Sequence, residues 1–143
     1  ERLPRGSDPA THTKLGRGGL ADVEWTVQLL QLEHAAERPE LRDPSTVRTL
    51  GSLRTAGLLD DDQADALLAA WELASRARNA IFLVRGRPSD QLPRMGLELA
   101  GVARACGYGP DDDPGQFVDD YRRTTRRARG VVEQLFYGQT PTA

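Results

Sequence analysis

The sequence predicts an all-α fold, an antiparallel helical bundle of about five helices with an extended N-terminal linker. Apolar residues recur at helical spacing in five stretches, and no stretch alternates apolar and polar residues convincingly enough to predict a strand. Capping residues, glycines and prolines separate these stretches, and the short connections favour antiparallel neighbours. The length of 143 residues is typical of a single domain.

We predict helices at about residues 20–37, 44–56, 61–85, 91–106 and 115–137. The first helix carries apolar side chains around so much of its circumference that we expect it to be buried, with Trp25 inside the core. In the other helices we expect the buried face to consist of Leu67, Leu68, Trp71, Ala74, Ile81, Phe82, Leu92, Met95, Leu99, Val102, Cys106, Phe117, Tyr121, Thr124, Ala128, Val131 and Leu135.

Short polar residues mark the starts of three helices. Asp43 and Pro44 provide a cap and a first-turn proline for the second helix. The runs Asp60–Asp62 and Asp111–Asp113 stand directly before the third and fifth helices. Neither run has the alternating spacing or the closing glutamate of a calcium loop, so we interpret both as caps and not as metal ligands.

The most informative segment is the glycine-rich turn before the first helix, KLGRGGLA, at residues 14–21. Gly16, Gly18 and Gly19 allow a positive φ or a close approach to another surface. The letters also fit the dinucleotide fingerprint G-x-G-x-x-A, but that fingerprint needs a preceding buried strand, and residues 10–15 are too polar for one. Two interpretations stay open, a turn whose amides face a phosphate and a purely structural tight turn.

Three charged residues flank the glycines. Lys14 is the only lysine beside 18 arginines, and its compact ammonium suits a phosphate as well as it suits a solvated linker. Asp22 and Glu24 lie two residues apart, hence about 200° apart on a helix, and cannot hold one metal as a helical pair. We expect Asp22 to interact with the helix dipole and Glu24 to be a buried partner for an arginine.

The segment Lys14–Leu32, KLGRGGLADVEWTVQLLQL, resembles a known family. Its Gly-Gly, Asp-hydrophobic-Glu-aromatic and Gln-x-Leu-Gln-Leu elements are similar to the segment that follows each nucleotidyltransferase domain in the bifunctional glutamine-synthetase adenylyltransferase/adenylyl-removing enzyme. A weaker resemblance covers Leu50–Leu68 and continues to Arg85, so that about residues 13–138 are included. The last helix and short polar tail resemble the C-terminal end of that enzyme, behind its second transferase domain.

The resemblance implies three regions: residues 1–12 as a linker from a missing upstream nucleotidyltransferase domain, 13–138 as a helical domain and 139–143 as a C-terminal tail. The intact enzyme would transfer AMP from ATP to a tyrosine of glutamine synthetase with Mg²⁺, as part of nitrogen regulation. The family's catalytic carboxylates lie upstream, so we expect no catalytic residue and no metal in this chain, and no activity or cofactor in the isolated chain.

The resemblance also implies partners and a site. The expected partners are the upstream nucleotidyltransferase domain, glutamine synthetase and the PII signal protein. The residues expected near the nucleotide are Lys14, Gly16, Gly18, Gly19, Asp22 and Glu24.

Two alternative functions stay open. The first is the helical domain of the PII-protein uridylyltransferase, which shares the Gly-Gly-Leu-x-Asp turn. That enzyme should continue into phosphohydrolase and ligand-binding regions, whereas this chain stops at Ala143 and keeps the Glu-Trp and Gln-x-Leu-Gln-Leu elements. The second is a non-enzymatic helical interaction module, against which a buried glycine turn so near the start of the chain argues.

The fifth predicted helix is locally basic because it carries Arg122, Arg123, Arg126, Arg127 and Arg129. These arginines form either a solvated face that pairs with nearby acids or an interaction face toward an acidic partner or the upstream domain.

Composition excludes several classes of protein. With a net charge of −2 and a pI of about 5.7, the sequence lacks the overall positive charge that is typical of nucleic-acid-binding domains. The longest apolar runs fall far short of the ~20 residues of a membrane span, and no signal peptide is visible. Cys106 is the only cysteine, which excludes an internal disulfide and predicts a reducing, cytoplasmic location. His12 and His34 have no neighbours at metal-ligand spacing.

Overall fold

The computed structural model describes residues 2–138 and contains five α-helices. They are α1 (Leu20–His34), α2 (Thr46–Thr55), α3 (Asp61–Arg85), α4 (Gly96–Ala105) and α5 (Pro114–Phe136), with a short 3-10 helix at Pro39–Leu41. The described residues form no strand, only one isolated antiparallel bridge between His12 and Gln91. The predicted all-α fold is therefore confirmed, while the predicted tail at 139–143 lies outside the described residues.

The longest helix, α3, is the centre of the bundle and packs against each of the other four. Its first half shares an apolar cluster with α1, α2 and the end of α5, and its second half shares another with α4 and the start of α5. A stripe of small side chains lets the neighbouring helices approach α3 closely. This stripe consists of Ala64, Ala66, Ala70, Ala74, Ala77 and Ala80.

Local caps explain where the helices begin and end. Asp60 caps α3, because its Oδ1 accepts from the N–H of Gln63 at 2.7 Å while the Gln63 side chain accepts from the N–H of Asp60 at 3.1 Å. Gly86 ends the same helix with a left-handed φ of +71°. Asp113 caps α5, since its carboxylate accepts from the N–H of Gly115. The interpretation of both aspartate runs as caps is confirmed.

The predicted cap of α2 was wrong. Ser45 is the cap, and its hydroxyl accepts from the N–H of Arg48 at 3.3 Å. Asp43 instead accepts from the N–H of Ser45 and pairs with the Arg48 guanidinium at 2.7 Å. Pro44 consequently precedes the helix and does not occupy its first turn.

The start of α4 is also later than predicted, because residues 89–92 pair with the N-terminal segment. The N–H of Leu92 donates to the carbonyl of Thr11 at 3.1 Å, and the N–H of Thr13 donates to that of Asp90 at 2.6 Å. Thr11, His12 and Thr13 are buried by this pairing. The last residues of the predicted linker thus pack against the bundle, and residues 2–10 contain turns.

The expectation that α1 is buried on all sides was wrong. The helix buries one face, and Trp25 and Leu32 on the other are 53% and 84% exposed. Within residues 2–138 no other helix covers that side, because α1 lies at the edge of the bundle and packs against α2, α3 and α5 through its inner face.

Two further core predictions were wrong for the same reason. Phe82 and Met95 are exposed, since the first lies in the last turn of α3 and the second precedes α4, where the bundle ends. The other residues expected on buried faces are buried or half-buried, the half-buried ones being Leu68, Trp71, Thr124 and Leu135. No helix in the described part of the chain is long and apolar enough to cross a membrane.

Candidate functional site

Gly18 brings the turn before α1 into contact with α5. Its φ of +71° lies in the left-handed region, and a Cβ added there would overlap the backbone carbonyl oxygen of Thr125. A Cβ on Gly16 or Gly19 would likewise press on backbone carbonyls of the segment just before the turn. The close approach that the three glycines permit is therefore to the protein's own backbone.

The backbone N–H groups of the turn are used within the chain. Each N–H from residue 16 to residue 21 donates a hydrogen bond of 2.8–3.1 Å. In the order of the donors, the acceptors are oxygens of His12, Pro9, Asp22, Gly16, Thr13 and Lys14. This favours the structural interpretation of the turn, because none of these six N–H groups remains to hold a phosphate as helix N-termini do. A ligand beside the turn would have to be held by side chains.

Asp22 ties the turn to two helices. Its Oδ2 accepts from the N–H of Gly18 at 2.8 Å and from Nη1 of Arg129 at 3.0 Å. Arg129 also donates from Nε to Glu133 at 3.2 Å. Burial by itself would lower the pKa of Arg129, but its interactions with the two carboxylates outweigh burial and raise that pKa. The guanidinium is thus held in its charged form at the junction of α1 and α5.

The arginine partner expected for Glu24 belongs to Asp22 instead, so that expectation was wrong. Glu24 is half-buried and forms no ion pair or side-chain hydrogen bond with the residues that the structure describes. The helix turns Glu24 about 200° away from Asp22, and Asp22 is the one that faces α5. Asp22 does lie in the first turn of α1, as expected.

Lys14 and His12 lie just before the glycines. Lys14 is half-buried, and its ammonium makes no ion pair within residues 2–138. His12 is buried, and its Nδ1 accepts from the N–H of Leu15 at 2.9 Å. Burial lowers the pKa of His12, an effect that Asp90 opposes and Lys14 reinforces. A position of this turn beside a nucleotide stays a prediction.

A cleft of about 370 Å³ opens between the turn and α5. The residues that line it are Ala10, Arg17, Arg122, Thr125, Arg126, Arg129, Gly130 and Glu133. Two of its arginines have partners, since Arg129 binds Asp22 and Glu133 while Arg122 lies 3.5 Å from Asp8.

The five arginines of α5 therefore do not form one face. Arg122, Arg126 and Arg129 line the cleft. Arg123 pairs with Asp120 at 3.1 Å, and Arg127 donates to the backbone carbonyl of Asp62 at 3.4 Å.

Arg17 is the member of the cleft that the sequence prediction missed. It is the one residue with a side chain between Gly16 and Gly18, and that position was the available signal. The contacts of Gly16 and Gly18 fix the backbone of Arg17, whose side chain is exposed.

Among residues 2–138, no three His, Cys, Asp or Glu side chains come together in a way that could hold a metal ion. The charged groups around the turn are instead arranged as ion pairs and as the arginine-lined cleft.

Comparison with known proteins places this helical unit in a family. The family model described as GlnD PII-uridylyltransferase matches residues 5–136, which is nearly the whole chain. The chain belongs to this family. The match includes the glycine turn, the cleft and all five helices, so these features lie inside the part of the protein that the family shares.

Individual relatives carry a different name. The chain is 59% identical over 136 residues to the bifunctional glutamine synthetase adenylyltransferase/adenylyl-removing enzyme of Mycobacterium avium. It is 59% identical over 138 residues to the enzyme of that name from Streptomyces avermitilis, and 56% identical over 138 residues to the one from Mycolicibacterium smegmatis. These matches cover 95–96% of this chain but 14% of each relative. The resemblance recognised in the sequence is confirmed.

Proposed function

We propose that this chain is the helical portion, at the C-terminal end, of a glutamine-synthetase adenylyltransferase. The observation that carries the proposal is the 55–59% identity to relatives of that name over nearly the whole chain. Because the chain spans about one seventh of their length, 14% in the first relative, the chemistry belongs to a longer protein. That protein would transfer AMP from ATP to a tyrosine of glutamine synthetase in the cytoplasm, with Mg²⁺ held by carboxylates of an upstream nucleotidyltransferase domain.

We propose that the helical portion positions the upstream transferase domain. The turn at residues 14–21 connects the upstream domain to a bundle whose centre is α3. Gly18 and Asp22 fix that turn against α5 by a backbone contact and an ion pair. A turn held in this way would set the position of the transferase domain on the bundle, with the ammonium of Lys14 beside the glycines of the turn. Glutamine synthetase and the PII protein would bind the assembled enzyme.

A second function is favoured by one observation, the description of the matching family model as a PII-uridylyltransferase. In that case the longer protein would transfer UMP from UTP to the PII protein. The same helical portion would serve either enzyme, so the two functions differ in the upstream domain and its substrate.

The experiment that separates them uses the full-length protein with labelled nucleotides. Labelled AMP from ATP should appear on glutamine synthetase, and labelled UMP from UTP should not appear on PII protein. The reverse pattern would establish the second function, and label on neither protein would contradict both. The isolated 143-residue chain should transfer no label above a control without protein.

A further inference from the structure

The cleft beside the glycine turn holds a surplus of positive charge. Of its four arginines, Arg122 and Arg129 face carboxylates. Arg17 and Arg126 form no ion pair and no side-chain hydrogen bond within residues 2–138. The two unpaired guanidiniums come from different elements and border the same concavity.

A backbone contact brings together the chain segments that carry these two arginines. Gly18 lies directly against the carbonyl oxygen of Thr125, because it has no Cβ to keep the two chains apart. Arg17 precedes Gly18 and Arg126 follows Thr125, so the contact sets the spacing between the backbone positions from which the two side chains extend. The ion pair of Asp22 with Arg129 fixes the same junction from the other side. The cleft is therefore a preformed feature of the fold.

We propose that this cleft binds the phosphate groups of a small polyanion, of the size of pyrophosphate or of the phosphate chain of a nucleotide. A guanidinium presents a planar fork that binds phosphate oxygens in pairs, which makes arginine well suited to this ligand. The volume of about 370 Å³ lies at the lower end of the range for small-molecule sites. The proposed binding depends on the charge and shape of this cleft. It does not depend on which of the two transferases the longer protein is.

Two features favour a small polyanion over an acidic protein surface. The exposed Arg17 and Arg126 border a concavity between the turn and α5, whereas Arg123 and Arg127 lie outside it and already have partners. The described lining residues also include no aromatic side chain on which a base could stack, so the phosphates carry the recognition.

The test is calorimetric titration of the 143-residue chain with sodium pyrophosphate at fixed ionic strength. We expect one site per chain, and we expect the double substitution Arg17→Gln and Arg126→Gln to weaken binding by about tenfold or more. The matched control is the double substitution Arg123→Gln and Arg127→Gln, which removes the same charge from α5 outside the cleft. It should change the affinity by less than about twofold.

A lysine version of the cleft keeps the test decisive if the glutamine variant folds poorly. Arg17→Lys with Arg126→Lys retains the charge and loses the paired hydrogen bonds, so pyrophosphate binding should weaken while the thermal unfolding temperature is unchanged. No detectable binding to the wild-type chain at millimolar pyrophosphate would overturn the proposal. Equal weakening by the control pair would overturn it too, because the attraction would then be a property of net charge.

The source of the phosphates is separated by two further titrations. ATP should bind with about the affinity of pyrophosphate and compete with it, since both offer the same phosphate chain. Displacement of ATP by adenosine would overturn the assignment, because the base would then be the recognised group. Tighter binding of a glutamate-rich peptide, lost in the Arg17→Gln and Arg126→Gln variant, would overturn it in favour of an acidic protein partner.

Discussion

Asp22 on α1 and Arg129 on α5 lie 107 residues apart in the chain, and their side chains meet at 3.0 Å. The same carboxylate oxygen accepts from the N–H of Gly18 at 2.8 Å. One acidic side chain therefore joins the glycine turn, the first helix and the last helix. The position of Asp22 in the glycine-rich motif suggests a residue of a ligand site. In this chain its carboxylate connects distant segments of the fold.

Removal of the Asp22 carboxylate should destabilise the fold. Asp22→Ala leaves the Gly18 N–H without its acceptor and the half-buried Arg129 with Glu133 as its remaining carboxylate, and we expect a loss of about 1–3 kcal/mol in the free energy of unfolding. Urea unfolding measures the loss. The control is Arg123→Ala, which breaks the more exposed pair with Asp120 and should cost about 0–1 kcal/mol.

A double-mutant cycle with Arg129→Ala separates the ion pair from the Gly18 hydrogen bond. The two substitutions should be non-additive, because each removes the same contact. Strict additivity would contradict the role given to the pair.

Gly18→Ala should be far more destabilising than Gly57→Ala. Both glycines have a left-handed φ, of +71° and +73°, so alanine is strained by about 1–2 kcal/mol at either position. A Cβ at residue 57 meets nothing within 4 Å, whereas at residue 18 it overlaps the backbone of Thr125. Displacement of the turn from α5 should add about 1–3 kcal/mol at residue 18. Thermal unfolding of the two variants measures the difference, and equal losses would show that the contact is dispensable.

The helices themselves were predictable because their signals are local. The bounds of α3 were predicted at 61–85 and observed at Asp61–Arg85, since the Asp60–Gln63 capping box and Gly86 both lie within a few residues of its ends. The exposed side of α1 was not predictable from the sequence. Trp25 and Leu32 are apolar, but an apolar side chain is buried only where another element packs against it. Where apolar residues lie on several sides of a helix, as in α1, helical periodicity does not show which of those sides lacks a neighbour.

The candidate site was predictable in part. The glycine turn was recognised as a tight turn, and Arg122, Arg126 and Arg129 were recognised as a basic group. The cleft between them depends on the contact of Gly18 with Thr125, which joins the two ends of the chain. Nothing in the local sequence around Arg17 indicates that α5 lies opposite.

Acidification should weaken the fold through His12. Burial lowers its pKa below the ordinary value of 6.5, so the unfolded chain binds a proton more readily than the folded one. The stabilisation is therefore complete above about pH 6.5 and is lost as the pH falls through the lowered pKa. Protonation also removes the acceptor of the Leu15 N–H, since both ring nitrogens then carry hydrogen.

The measurement for His12 is urea unfolding at about pH 7.5 and about pH 5.5. His12→Gln should reduce the difference in stability between the two conditions. His34→Gln, at the more exposed end of α1, should leave that difference as in the wild type. An unchanged difference in the His12 variant would assign the pH dependence to other groups.

Tyr121→Phe should be neutral or stabilising. The side chain is 1% exposed, and its hydroxyl has no hydrogen-bond partner among the described residues. The hydroxyl is thus buried at a cost that phenylalanine avoids, with a gain of up to about 1 kcal/mol. The matched control is Tyr108→Phe, which removes a hydroxyl bound to Asp120 and should lower the unfolding temperature. A loss of more than about 1 kcal/mol in the Tyr121 variant would show that the hydroxyl has a partner such as water.

Lys14→Ala should reduce catalysis by the full-length enzyme more than it reduces stability. The Lys14 ammonium makes no ion pair within residues 2–138, so its removal should change the free energy of unfolding by less than about 0.5 kcal/mol. At the junction with the transferase domain, however, its charge would face the nucleotide or the neighbouring sheet.

The rate of AMP transfer at several ATP concentrations measures the effect, and Lys14→Arg should retain more activity than Lys14→Ala because it keeps the charge. Kinetics of Lys14→Ala identical to wild type across that range would assign the turn a purely structural role.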